Sequence, residues 1–200
     1  MKTILLTLFA LVTLNIHAQL NSCCSHQQHC THQNNHYDSY DNSYFTDLRQ
    51  ALLNPEKVKT LDLRNQNLTR LPWEVRKMQN LEVLLLSNNQ LKSLPWEIRY
   101  LKQLRKLDVE NNYLTRLPWE MRYMENLQEL NVSRNQIERL PWELRYLDNL
   151  VYINASSNPI SALPWELKYC NNLQTIVIQN TNIERIPHEL ESKPYLRIHW

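Results

Sequence analysis

The 200-residue chain contains no glycine at all. Turns that require positive φ therefore fall to asparagine, the next most tolerant residue, and the Asn-rich corners Asn88-Asn89 and Asn111-Asn112 fit that need. An excess of either charge is missing as well. Against 22 basic residues stand 20 acidic ones, so no overall field draws the chain to nucleic acid or to an anionic membrane surface, and no nucleic-acid partner is expected. Long apolar runs are confined to the N-terminus, so no transmembrane segment is expected in the mature chain. What is present, 42% apolar and 21% charged residues, is the balance of a folded soluble protein with one substantial core.

Residues 1–18 read as a signal peptide. Met1-Lys2-Thr3 supplies a short basic region, the run from Ile4 to Ile16 is too brief to span a bilayer, and a cut after Ala18 leaves Gln19 as the mature start. A competing reading takes Leu20-Asn21-Ser22-Cys23 as a lipobox and places a lipid anchor on Cys23, although Asn21 is atypical there. Both readings export the chain, to the periplasm, the cell surface or the medium. Residues 19–44 form a polar Cys/His-rich linker, in which Cys23, Cys24, His26, His29, Cys30 and His32 are weak candidates for holding zinc or copper. Their spacing matches no defined zinc module, and an oxidising compartment favours a disulfide. No cofactor or resident metal is assigned.

Beyond a short apolar helix expected within residues 45–57, N-capped by Thr46, with Leu48, Ala51, Leu52 and Leu53 on one side, the chain repeats itself. Leu61, Leu84, Leu107, Leu130, Ile153 and Ile176 occupy equivalent places 23 residues apart, six copies within residues 58–200. In each copy a period-2 stretch such as Leu84-Leu85-Leu86 points two leucines to one face, as a strand does. Pro95 then fixes φ at the expected first helical position, and Ile98 and Leu101 at i, i+3 make a narrow apolar stripe on a short helix. Neither half buries its leucines alone, so copies must stack. Asn89, Asn112, Asn135 and Asn158 recur where the chain leaves the strand, and an inward amide there can satisfy turn backbone groups. The outer units place Gln66 and Thr181 in that slot. After Leu196 and Ile198 restart a strand pattern no dedicated C-terminal cap is visible, which predicts an exposed strand edge.

The unit from Leu81 through Leu84, Leu86, Asn89 and Leu91 to Leu94-Pro95-Trp96-Glu97-Ile98 and Leu101 resembles the leucine-rich-repeat family, with its LxxLxLxxNxL consensus. The second half of the unit resembles the bacterial and Ras-associated subtype that reads LPxEIxxLxxL. The resemblance implies an α/β solenoid, curved, with parallel strands on the concave face and short helices on the convex one. It also implies a non-catalytic binding scaffold, most often for a protein partner met on the concave face.

Two surfaces are candidates for contact. On the concave face, Asp62, Arg64, Leu85, Lys106, Asp108, Glu110, Glu129, Asn131, Tyr152 and Asn154 would point outward, a mixture that suits a protein better than one small molecule. On the convex face, Trp73, Trp96, Trp119, Trp142 and Trp165 follow the proline of each unit, and Tyr100, Tyr123, Tyr146 and Tyr169 come four residues later. That aromatic stripe has three competing explanations: glycan binding or adhesion, packing against the arginine and lysine column that includes Arg99 and Arg122, and recent duplication of one unit. Cys170 replaces a core leucine and reads as a buried hydrophobe. The column Glu74, Glu97, Glu120, Glu143, Glu166 and Glu189 reads as first-turn charge favoured by the helix dipole rather than as paired catalytic acids.

Overall fold

A computed structural model describes residues 43–200. The expected signal peptide, the lipidation candidate Cys23 and the candidate ligands Cys24, His26, His29, Cys30 and His32 lie outside the described residues. Eight strands form one parallel sheet in chain order: β1 (Tyr44–Phe45), β2 (Thr60–Asp62), β3 (Val83–Leu85), β4 (Lys106–Asp108), β5 (Glu129–Asn131), β6 (Tyr152–Asn154), β7 (Thr175–Val177) and β8 (Arg197–His199). From β2 to β7 the register advances by one whole repeat at each step, so Leu61 stands beside Leu84, Leu84 beside Leu107 and Ile153 beside Ile176. Parallel neighbours cannot be joined by a hairpin. The five connections from β2 to β7 instead each run out to a five-residue helical turn and back.

These turns are Trp73–Lys77, Trp96–Tyr100, Trp119–Tyr123, Trp142–Tyr146 and Trp165–Tyr169, and all are 3-10 helices. Proline does not occupy the first helical position as the sequence suggested. Pro95 is the residue before the helix, with φ −71 and ψ 148, and the turn closes through Ile98 N–H to Pro95 O at 3.1 Å and Leu101 N–H to Ile98 O at 3.0 Å. The tighter coil has a physical reason. A three-residue period sets Ile98 and Leu101 one above the other, and a rise of about 2.0 Å per residue carries the chain farther in five residues than an α-helix would.

Two asparagine ladders hold consecutive repeats together. Asn112 Oδ1 accepts from Leu91 N–H at 3.0 Å, and its Nδ2 donates to Leu86 O and Val109 O at 3.0 and 3.1 Å. Asn89, Asn135 and Asn158 repeat the arrangement. At the array's ends the slot degrades: Gln66 is exposed and reaches Thr46 O, and Thr181 makes one hydroxyl bond to Ile178 O. A second ladder went unseen in the sequence. Asn80, Asn126, Asn149 and Asn172 each donate to a carbonyl 24 residues earlier, Glu56 O, Lys102 O, Glu125 O and Asp148 O, stitching the opposite edge of the stack. Positive φ recurs at Asn65, Asn88, Asn111, Arg134, Ser157 and Asn180, with φ from 52 to 59. Asparagine takes the glycine role in four of the six repeats, and Arg134 and Ser157 are held there by the fold.

Between the two sides the leucines are wholly buried, Leu84, Leu86, Leu91, Ile98, Leu101 and Leu104 among them. Ahead of the array, β1 adds a strand that the sequence pattern did not reveal, because two residues are too few to show a period. The following helix α1 (Leu48–Leu53) is capped by Asp47 rather than Thr46, its carboxylate accepting from Arg49 N–H and Gln50 N–H at 2.7 and 3.1 Å. Ala51 is buried, whereas Leu53, expected on the apolar side, is exposed because six residues of helix turn it outward. At the other end helix α2 (His188–Glu191) replaces the 3-10 turn. Lys193 Nζ closes the preceding turn by donating to Lys168 O and Cys170 O at 3.0 and 2.7 Å.

Candidate functional site

Strand residues that point away from the core form ladders with one rung per repeat. The column Thr60, Val83, Lys106, Glu129, Tyr152 and Thr175 is in register from β2 to β7, and so is the column Asp62, Leu85, Asp108, Asn131, Asn154 and Val177. Most of these side chains are half-buried or exposed. Asp62 departs from the expectation of a free outward group. It is buried, with Arg64 Nε and Nη2 donating to its carboxylate at 2.8 and 2.6 Å and Tyr44 OH donating at 2.7 Å. The guanidinium bonds hold its pKa down to about 2, and the bond from Tyr44 raises the phenol's own pKa. β1 is the cause: its tyrosine lands over β2 and converts the first rung from a contact group into a clasp.

Ion pairs also cross from strand to strand. Lys106 pairs with Glu129 at 2.6 Å, Arg134 with Glu110 at 3.6 Å, and Glu82 with both Lys59 and Arg105 at 3.9 and 3.7 Å. Such exposed pairs contribute little to stability, about 0–1 kcal/mol each, but they fix the sign of charge on each rung. Asp108 is held by one backbone bond from Glu110 N–H, and burial raises its pKa. Asn131 accepts from the Ser133 N–H and hydroxyl and donates to Glu110. In the column two residues farther on, which holds Arg64, Ser87, Glu110, Ser133, Ser156 and Gln179, Ser87 and Ser133 are buried.

On the helical side the aromatic stripe is real and it is filled with cations. The five tryptophans are 41 to 46% exposed. Within each repeat that has both rings, the Trp and Tyr centroids stand 6.0 to 6.2 Å apart at steep angles. Arg99 lies 4.6 Å over Trp96 and 4.8 Å over Tyr100, and also donates to the Tyr100 hydroxyl at 2.8 Å. Arg122 and Arg145 reach into the next repeat, over Tyr146 at 5.7 Å and Tyr169 at 4.4 Å. A cation thus lies over one ring face of Trp73, Trp96, Trp119 and Trp165, while among the described residues none lies over Trp142.

Reactive constellations are not assembled from the described residues. The Ser133 and Ser156 hydroxyls donate to asparagine amides, and Cys170 is buried with its thiol pKa pushed up to about 11 by that burial. Among the described residues no helix is long and apolar enough to cross a membrane.

A leucine-rich repeat region, as a family model, matches residues 40–150, more than half of the chain. The chain belongs to the leucine-rich repeat family. Solved structures with the same fold include an LRR protein of Leptospira interrogans, 22% identical with a TM-score of 0.60 over 77% of this chain. The functional domain of InlJ from Listeria monocytogenes is 23% identical with a TM-score of 0.61 over 72%. The LRR ectodomain of the Arabidopsis thaliana membrane receptor kinase GASSHO1/SCHENGEN3, in complex with Casparian strip integrity factor 2, is 31% identical with a TM-score of 0.64 over 70%. The match spans 57, 29 and 18% of those chains respectively, so each of these relatives is considerably longer than the aligned solenoid. No curated protein sequence matches the chain. The LRR assignment accounts for the recurring leucines and for the asparagine of the consensus.

Proposed function

We propose that this LRR protein is a non-catalytic scaffold, exported to the periplasm or cell surface, that binds a protein partner on its strand face. The observation that carries the reading is the register. Outward side chains stand on a sheet whose reverse is a fully buried leucine core, and their backbone is tied between repeats by buried asparagine bonds. A partner meeting that face does not have to order it, which removes part of the cost of association. Export rests on the signal-peptide reading of residues 1–18. Support for a macromolecular partner comes from the plant LRR ectodomain solved in complex with Casparian strip integrity factor 2. The helical stripe is the weaker candidate, since four of its five tryptophans already carry a cation on one ring face.

Capture from the envelope of producing cells tests this. The double substitution Asp108→Lys with Asn131→Lys should lose a partner retained by the wild-type protein, and the triple substitution Trp96→Ala, Trp119→Ala, Trp142→Ala should keep it. The opposite pattern refutes the strand-face reading.

A further inference from the structure

Charge is distributed unevenly along the strand face. From β2 to β5 it carries the ion pairs of Lys59, Glu82, Arg105, Lys106, Glu129 and Glu110. From Val151 to Asn180 the chain has two charged residues, Glu166 and Lys168, and both lie in the 3-10 turn on the helical side. β6 and β7 therefore present Val151, Tyr152, Asn154, Thr175 and Val177, all half-exposed and none charged. On the strands themselves charge returns at β8, with exposed Arg197.

Two cavities open beside this neutral patch. One of about 390 Å³ is lined by Gln128, Glu129, Val151 and Tyr152. The other, about 430 Å³, is lined by Leu173, Gln174, Thr175, Tyr195 and Arg197 among others. The amide of Asn154 differs from its neighbour in the ladder. Its Oδ1 is held by the N–H and hydroxyl of Ser156, and among the described residues its Nδ2 has no acceptor, whereas Asn131 Nδ2 donates to Glu110.

We infer that the β6–β7 half of the strand face docks an extended, uncharged polypeptide segment, with an apolar side chain against Tyr152 and Val177 and a backbone carbonyl accepting from Asn154 Nδ2. The inference rests on the strand-face reading and names the partner's chemistry there. Interface centres are depleted in charge and enriched in tyrosine, with a polar rim around them, and here the Lys106–Glu129 pair and Arg197 border the patch on its two sides. A charged segment would be desolvated over β6–β7 themselves, where the strand side chains supply no counter-charge and the nearest charges stand at the borders. Two strands about 4.8 Å apart and three residues long make a patch roughly 10 Å across, the span of about three extended residues.

The test is an amide NMR titration of the nitrogen-15-labelled protein with three capped tetrapeptides, alternating alanine with leucine, lysine or glutamate. The leucine peptide should shift the amides of Val151, Tyr152, Asn154, Thr175 and Val177. It should bind at least about tenfold more tightly than the charged peptides, and Tyr152→Ala or Val177→Asp should weaken it by about tenfold while the remaining spectrum stays superimposable. Shifts centred on Lys106, Asp108 and Glu110, or a preference for a charged peptide, overturn the inference while leaving the strand-face reading in place. Shifts confined to the Trp96–Tyr100 turn and its equivalents, or no shifts at all, overturn the inference, and the former also moves the contact surface to the helical side.

Discussion

Replacing Asn112 by alanine tests the physical basis of the stack directly. Its side chain makes buried bonds to Leu91 N–H, Leu86 O, Val109 O and Glu110 O. The carbonyls are shared: Leu86 O also receives Asn89 Nδ2, and Val109 O also receives Asn135 Nδ2. Removing the amide therefore strands one group completely, the Leu91 N–H, and leaves the carbonyls with single partners. A stranded buried donor costs about 1–3 kcal/mol and each of the three lost shared bonds about 0.5–1.5 kcal/mol, so the expected destabilisation is about 2.5–7.5 kcal/mol. The adjacent Asn111 is exposed and matters for its positive φ and one side-chain bond to Asn88. Asn111→Ala should cost only about 1–2 kcal/mol, the left-handed penalty of an ordinary residue. Urea unfolding followed by tryptophan fluorescence and circular dichroism, with both m-values compared, measures the pair. Equal losses at Asn111 and Asn112, or a loss below about 1 kcal/mol at Asn112, would show that the inward amide is not what joins the repeats.

Other expectations follow from the same geometry. Arg134→Asn and Ser157→Asn place a tolerant residue at φ 55. Each should stabilise by about 0.5–1 kcal/mol, read as a rise of roughly 1–4 °C in Tm, and a fall in Tm for both would contradict the left-handed assignment. Arg145→Ala removes a stack on Tyr146 and the inter-repeat stack on Tyr169 and should cost about 1–2 kcal/mol in chemical denaturation, whereas Lys77→Ala, on an exposed position without such a stack, should cost nearly nothing. Asp62 has its pKa lowered from 3.8 to about 2 by the Arg64 bonds. Its contribution is present above pH 4 and is lost as pH falls towards 2, so Asp62→Asn should lower stability near neutrality and flatten the acid limb of a Tm-against-pH profile. In a variant with Cys23, Cys24 and Cys30 changed to serine, Cys170 should react with a maleimide only as fast as the chain opens, because the thiol is buried and its pKa is raised to about 11. Rapid native-state labelling would place it at the surface.

Periodicity is the information that a linear sequence carries best, and it specified most of this architecture. Leucines at fixed offsets have one common solution in which none is exposed, parallel rungs with a shared interior, so the core and the columns of outward residues could be read before any coordinates. In the absence of glycine, asparagine takes four of the six left-handed corners, and Arg134 and Ser157 take the other two. Features without a period, or fixed by non-repeating neighbours, were settled by tertiary structure. β1 was too short to signal itself, yet pairing with β2 brings Tyr44 onto Asp62 and closes a rung that the column alone left open. The helical turns became 3-10 because the distance between proline and strand is fixed by the stack, not by the propensity of five residues. The cations came to lie over the rings, and the neutral patch came to lie between two charged borders, because register between repeats decides which side chains meet across 23 residues.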